Sequence, residues 1–304
     1  MRNRMLTKQT NFFFLFLVIL FSTGTLFAQT PQQLHQKITT IIETHRAAVG
    51  VAVTGPDGKE VVTVNGDTHF AMQSVYKFHL ALAVLHLVGE GSLHLEQIIT
   101  IKKEDIDKDT HSPLRDAHPD QDIAISIKEL LRYSVSLSDN NACDVLFELA
   151  GGTGKVNDYI RSLGINDVAI ATTEGEMKKE WQVQFTNWST PRAATLLLEK
   201  WYNSSALRKS SHDYLWSLLV ASVKTDRIKG LLPESVIVAH KPGTSGKNEE
   251  GVRAAFNDIG IVMLPDGTHF SISVFVNNSK ETDEANAKII AAITRVCYDH
   301  FVKP

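Results

Sequence analysis

Residues 70–78 read FAMQSVYKF, and the apolar run FHLALAVLHLV continues from Phe78 to Val88. Ser74 stands three residues before Lys77 at the mouth of that run. On a helix, positions three apart share a face, with Cβ atoms about 5–6 Å apart. A serine hydroxyl is a weak nucleophile and needs an adjacent base. A lysine buried in a helix gives up its proton more easily than one in water and can serve as that base. The bland alternative is a serine capping a buried helix. Ser-x-x-Lys also arises by chance about once in a chain of this length, so the stretch needs support from elsewhere.

The pattern around it gives the architecture. Before it, VGVAVTGPDGKEVVTVNG (49–66) holds two β-rich runs around Pro56-Asp57-Gly58, the mark of a hairpin. Pro31 to Ala47 is helical in pattern. From Val75 to about Val223 helical periodicity dominates, as in SIKELLRYSVSLSDNNACDVLFELAGG and TPRAATLLLEKWYN. Strands return with SVIVAHK, AAFNDIGIVMLPDG and HFSISVFVNN, the last two turning over Pro265-Asp266-Gly267. An amphipathic helix from Thr282 to Val302 closes the chain. Strands at both ends around a helical middle predict an α+β fold. Its antiparallel sheet is built from both termini, with a helical subdomain inserted and the site in the groove between them.

The extreme N-terminus reads differently. Arg2, Arg4 and Lys8 precede FFFLFLVILF (12–21), an apolar run too short to span a bilayer. TLFAQ then offers cleavage after Ala28. This is the pattern of a secretory signal peptide over 1–28, which implies a periplasmic or secreted protein with no membrane segment after cleavage. The mature chain, 29–304, is expected as a single domain: an α/β part from 29–70 and 224–304, and a helical part from 71–223. Its 43% apolar and 21% charged residues suit one sizeable core. Removing the three cations takes the formal charge from −3 to −6, so no nucleic-acid partner is expected. Cys143 and Cys297 both sit in apolar helical patterns and are read as buried free thiols. Twelve histidines include no His-x-His or His-Glu-x-x-His cluster, so no metal is expected.

Two further motifs follow. Ser138-Asp139-Asn140 lies between helical runs: a second hydroxyl there can relay a proton to a leaving nitrogen, and the amide can hold both a substrate amide and Lys77. A loop with a helix cap explains the same residues. HKPGTSG (240–246) ends a strand, where the Lys241 ammonium suits a substrate carboxylate and Gly243 permits close backbone approach.

Taken together, Ser-x-x-Lys, Ser-Asp-Asn and Lys-x-Gly form the motif set of class A β-lactamases and penicillin-binding proteins. The chain resembles a class A serine β-lactamase of the PER/VEB-like branch over essentially its full mature length. The likeness is seen in AMQSVYKF, LLRYSVSLSDNNACDVLFELAGG and DRIKGLLP. It implies a β-lactamase/transpeptidase-like fold with a five-stranded antiparallel sheet flanked by helices. It also implies cofactor-free hydrolysis of penicillins and cephalosporins through a serine acyl-enzyme, by a monomer. The alternatives are a D,D-peptidase and a non-catalytic penicillin-sensing domain.

The resemblance also assigns residues. TTEGEMKKEWQVQFTNWSTP (172–191) looks like the branch's Ω-loop, with Glu174 as the general base that activates water; Glu176 and Glu180 stand nearby. Thr244 takes the place where the family's oxyanion hole is completed with the backbone N–H of Ser74, worth about 3–4 kcal/mol per donor. Arg227 fits the arginine that supports carboxylate binding beside Lys241. His111 takes the place of an aromatic that gates the groove, Gln73 precedes the nucleophile as in PER-like enzymes, and Asn187 braces the Ω-loop. Two positions depart from the pattern. Pro242 stands where a hydroxyl residue is usual, which predicts carboxylate binding weaker by about an order of magnitude unless Thr244 or Ser245 compensates. Lys178 stands where many relatives place an asparagine beside the hydrolytic water; it is expected either to pair with Glu174 or to point to solvent.

Overall fold

The two hairpin signals that bracket the sequence meet in one sheet. The computed structural model describes residues 30–203 and 206–302. The expected signal peptide and its cleavage point lie outside the described residues. Helix α1 (Pro31–Glu43) opens with a Thr30/Gln33 capping box and stops at a Thr44 cap, four residues short of the expected Ala47. Strands β1 (Ala48–Thr54) and β2 (Glu60–Val64) form the first hairpin. After β3 (Phe70–Ala71), a 3₁₀ turn at Gln73–Val75 leads into α2 (Tyr76–Glu90), which Gly91 terminates at φ 83°.

The middle of the chain carries β4 (Ile98–Ile101), α3 (Pro113–Ala117), β5 (Ile123–Ser126), α4 (Ile127–Ser136), α5 (Asn140–Leu149) and α6 (Thr153–Ser162). It continues through β6 (Val168–Ala169), α7 (Glu174–Met177), β7 (Trp188–Ser189), α8 (Pro191–Asn203) and α9 (Lys209–Val220). The periodicity predicts an all-helical insert, and the structure corrects this: β4 pairs with β5, and β3, β7 and β6 form a second small sheet. Four-residue and two-residue strands are too short to show a period of two.

Strands β8 (Val238–Thr244), β9 (Arg253–Met263) and β10 (His269–Ser279) return to the main sheet, and α10 (Asp283–Phe301) ends the fold. The sheet order is β2-β1-β10-β9-β8, antiparallel throughout, so the pairing of β1 with β10 joins the chain's two ends. Both faces are covered. Leu34, Ile38, Ile289, Ile290 and Ile293 of α1 and α10 fill one face, while α2, α4, α5 and α8 build a second apolar cluster on the other. Cover on both sides leaves β9 and β10 buried almost from end to end, polar residues such as Asn257, Asp258, Ser271 and Ser273 included. Cys143 belongs to one cluster and Cys297 to the other; both are buried free thiols.

The sheet's edge strand positions the site. β8 lies against the 3₁₀ turn that carries Ser74. A Cβ at Gly243 would come within 2.5 Å of Met72 O and 3.0 Å of Val75 N. Only glycine allows that contact, and the backbone it admits is the protein's own nucleophile turn.

Candidate active site

Ser74 sits in the 3₁₀ turn, just before α2, and follows Gln73 in the left-handed region at φ 49°. Lys77, in the first turn of α2, is fully buried. Its ammonium lies 3.1 Å from Ser74 Oγ, 2.8 Å from Ser138 O and 2.6 Å from Asn140 Oδ1. Glu174 Oε1 is 3.0 Å away on a fourth side. Three hydrogen bonds thus fix the nitrogen beside the serine, and the Glu174 carboxylate adds an ion pair.

Ser138 also adopts a left-handed backbone, φ 59°, in the turn between α4 and α5. Two strained non-glycine residues at one cleft mark a place where the surroundings over-determine the backbone. Asp139 holds the turn. Its carboxylate accepts from Ala142 N at 2.8 Å as the α5 cap, and from Leu114 N at 2.6 Å and Ser112 Oγ at 2.9 Å. Asn140 donates to Thr110 Oγ1 at 2.7 Å while holding Lys77. From the sheet side, the fully buried Lys241 donates to Ser138 Oγ at 3.0 Å. Burial, and then the ammonium of Lys77, push its pKa down to about 7.

Glu174 opens α7, and of the three glutamates in this segment its carboxylate is the one turned inward. Glu176 is spent in the Thr173 capping box, and Glu180 is exposed. Asn187 closes the segment as a brace: it accepts from Ala171 N at 2.7 Å and Thr172 N at 3.0 Å and donates to Thr172 O at 2.8 Å. Gln73 donates to Gln184 at 3.0 Å, which ties the nucleophile turn to the far end of the same segment. Gln73, Ser74, Ser138, Asn140, Glu174 and Gln184 line a cleft of about 640 Å³, and Lys77 and Lys241 lie buried behind them.

A serine, two buried lysines and an inward carboxylate in one cleft are what the three motifs require, and a comparison with known families decides the matter. The profile of the Beta-lactamase enzyme family matches residues 33–301. The chain belongs to that family. It is 40% identical to the extended-spectrum beta-lactamase PER-1 of Pseudomonas aeruginosa over 94% of this chain and 93% of that one. Among solved structures, the TLA-1 extended-spectrum β-lactamase is 45% identical, with a TM-score of 0.87 over 90% of this chain and 99% of its own. A class A β-lactamase from Bacteroides cellulosilyticus is 42% identical, with a TM-score of 0.86 over 89% and 98%. This protein is a class A serine β-lactamase.

The β-lactamase's anion-facing end is built around Arg227, which is buried and not a surface charge. Its guanidinium donates to Gly243 O at 3.0 Å, Asn257 O at 2.6 Å and Thr244 Oγ1 at 2.5 Å, and lies 3.6 Å over the Phe256 ring. Burial lowers its pKa to about 10. Pro242 lines the cleft with no hydroxyl. Ser245 does not replace that hydroxyl, because its own is turned away to Gly246 O and Ala255 N. Thr244 still borders the cleft. His111 does so too, with ring Nε2 3.0 Å from Leu137 O. Lys178 does not pair with Glu174: it lies exposed at the cleft rim, where its ammonium pairs with Asp107.

Sequence reading missed three supports. Asp144 accepts from Glu174 N at 2.8 Å and Gly175 N at 2.9 Å, so it sets where the general-base candidate stands. Burial raises its carboxyl to about 6 against those donors. Its position four residues after Asn140 on α5 is the signal that could have found it. Asn257 donates to Ala71 O at 2.8 Å and Met72 O at 3.1 Å, anchoring the nucleophile turn to β9. Buried Asp258 pairs with His240 at 3.0 Å and accepts from Ile228 N at 3.3 Å, next to Arg227. Nothing local in FNDIG distinguishes these two from loop polars until the strand is known to be covered on both faces.

Proposed function

We propose that Ser74 is the nucleophile of a penicillin- and cephalosporin-hydrolysing cycle and that Glu174 completes it. The observation that carries this reading is the Lys77 ammonium, 3.1 Å from Ser74 Oγ and 3.0 Å from Glu174 Oε1. Once this ammonium has passed one proton to Glu174, the neutral amine lies against the attacking oxygen and can take its proton, and the carboxylate needed later is within the same reach. In acylation, Ser74 Oγ attacks the β-lactam carbonyl as its proton passes to Lys77, or to Glu174 through water. The backbone N–H groups of Ser74 and Thr244 receive the oxyanion. Ser138, held by Lys241, donates to the ring nitrogen as the amide opens, and the proton taken from Ser74 replaces the one it gave, which leaves Lys77 an ammonium and Glu174 a carboxylate again. The substrate carboxylate meets Lys241, Thr244 and Arg227, and the acyl substituent extends the other way, past Asn140 toward the 174–185 segment. Glu174 then takes a proton from water, and the hydroxide releases the acyl group from Ser74.

The groups at one end of the cleft support an anionic substrate: the Lys241 ammonium and the Arg227 guanidinium donate to the hydroxyls of Ser138 and Thr244, which border the cleft there. Similarity to enzymes named extended-spectrum supports a preference for cephalosporins. The basic and apolar N-terminus supports export to the periplasm with cleavage after Ala28. Among the described residues no helix is long and apolar enough to cross a membrane.

The test is turnover of a chromogenic cephalosporin by purified mature protein beside Ser74→Ala and Glu174→Ala. The wild type is expected to turn over continuously, Ser74→Ala not at all, and Glu174→Ala to give one burst with an acyl adduct on the protein. A wild type that itself stalls after one equivalent is a penicillin-binding peptidase, and the hydrolytic reading fails.

A further inference from the structure

Two loops face each other across the acyl-side mouth of the cleft. Loop 105–111 hangs from the start of α5. Asp107 N donates to Asn141 Oδ1 at 2.8 Å, Asn141 Nδ2 donates back to Asp107 O at 3.0 Å, and Thr110 Oγ1 accepts from Asn140. Arg115 adds bonds to Lys108 O and Thr110 O. The facing segment, 174–185, contains only the single turn of α7 and a 3₁₀ turn, elements too short to hold their own position in water. It is fixed at its base by Asp144 and Asn187. At its outer side, Lys178 crosses to Asp107.

That contact settles what Lys178 does not do. The ammonium beside Glu174 is that of Lys77, and the ammonium of Lys178 is committed to another carboxylate. Both Lys178 and Asp107 border on solvent, with side chains 43% and 28% exposed. The pair can therefore open and re-form, and salt screens it. Its place is at the lip: Lys178 and Trp181 line the cleft on one side and Asp109 and Thr110, two and three residues after Asp107, line it as well.

We propose that the Lys178–Asp107 ion pair is a latch that sets the width of the acyl-side mouth and so selects among β-lactams by the bulk of their acyl substituents. The proposal rests on the assignment of that end of the cleft to the acyl group. With the latch closed, compact substituents enter readily and bulky ones enter only when it opens. Lys178 is thus a specificity-determining residue that acts through the position of its loop.

The experiment compares a cephalosporin with a compact acyl group and one with a bulky branched group. It uses the wild type, Lys178→Gln, Asp107→Asn, the double variant, and the charge swap Lys178→Asp with Asp107→Lys. The backbone bonds of Asp107 to Asn141 survive all of these changes. Each single variant is expected to raise the bulky-to-compact ratio of kcat/KM about fivefold. The double variant should rise no further, and the swap should return the ratio to within twofold of wild type. Raising the salt from 50 mM to 1 M should raise the wild-type ratio alone. Acylation of Ser74 followed by intact mass gives the same ratio even if turnover is absent, so failure of the hydrolytic reading and failure of the latch are separate results. The latch is overturned if the two single effects multiply, if the swap matches a single variant, or if Lys178→Gln slows deacylation while Asp107→Asn is silent.

Discussion

Lys241 carries an ammonium to a point with no solvent exposure, and its two hydrogen-bond partners, Ser138 Oγ and Pro242 O, are both uncharged. Burial and the neighbouring Lys77 lower its pKa from 10.5 to about 7. The folded protein thus binds this proton less tightly than the unfolded chain. The group's contribution to stability rises with pH from about 7 to 10.5, while its value for holding an anion falls over the same range. For an anionic cephalosporin, kcat/KM is expected to decline above pH 7, approaching tenfold per unit. An esterified analogue lacking the carboxylate should not show that decline. A flat profile for the anion between pH 6 and 9 would mean that Lys241 keeps its proton in the site. At this scale the sequence was legible where a spacing repeats a reaction's needs: Ser74, Lys77 and Ser138 stand out by their motifs. Asp144, Asn257 and Asp258 do not, because each acts on main-chain groups that only folding brings near.

Helix α5 works as a ruler for the site. Its first residues and the turn after them hold three separate pieces: Asn140 holds Lys77, Asn141 holds Asp107, and Asp144 holds the backbone of Glu174 and Gly175. Positions 140 and 144 are one turn apart, so the lysine and the carboxylate are set by one rigid face. Removing the Asp144 carboxylate costs two hydrogen bonds at about 1 kcal/mol each. Asp144→Ala is therefore expected to slow deacylation about thirtyfold, with the acyl-enzyme accumulating by mass spectrometry, while acylation changes less than threefold. If both steps fall together, Asp144 supports the whole helix and not the placement of Glu174. Elements were legible in proportion to their length and turn chemistry. The Pro-Asp-Gly turns announce both hairpins, and α10 is found within a residue at each end. Strands β4 and β5 were invisible because Ile-Ile-Thr-Ile and Ile-Ala-Ile-Ser carry too few residues to separate a strand from a helix start.

At the scale of the molecule, one sheet separates two apolar clusters, and the site lies where the helical cluster meets the edge strand. That division keeps Cys143 and Cys297 apart, and burial pushes both thiols well above their usual range. It also leaves a histidine inside the helical side. His79 of α2 is fully buried beside Phe78, and neither ring nitrogen makes a hydrogen bond of good geometry. Burial lowers its pKa from 6.5 to about 4. The unfolded chain therefore takes a proton below pH 6.5 that the folded protein refuses until about pH 4. Stability from this group is complete above 6.5 and lost as the pH falls, by about 3 kcal/mol at the lower limit. His79→Leu keeps an apolar side chain of similar volume and cannot take that proton. Urea unfolding of both proteins should show the variant gaining about 2 kcal/mol on the wild type between pH 7 and pH 5, whatever their difference at neutrality. The gap must grow on acidification because the wild type alone binds a proton on unfolding in that range. A gap that stays constant over those two pH units would mean that His79 is already protonated, or already solvated, inside the fold.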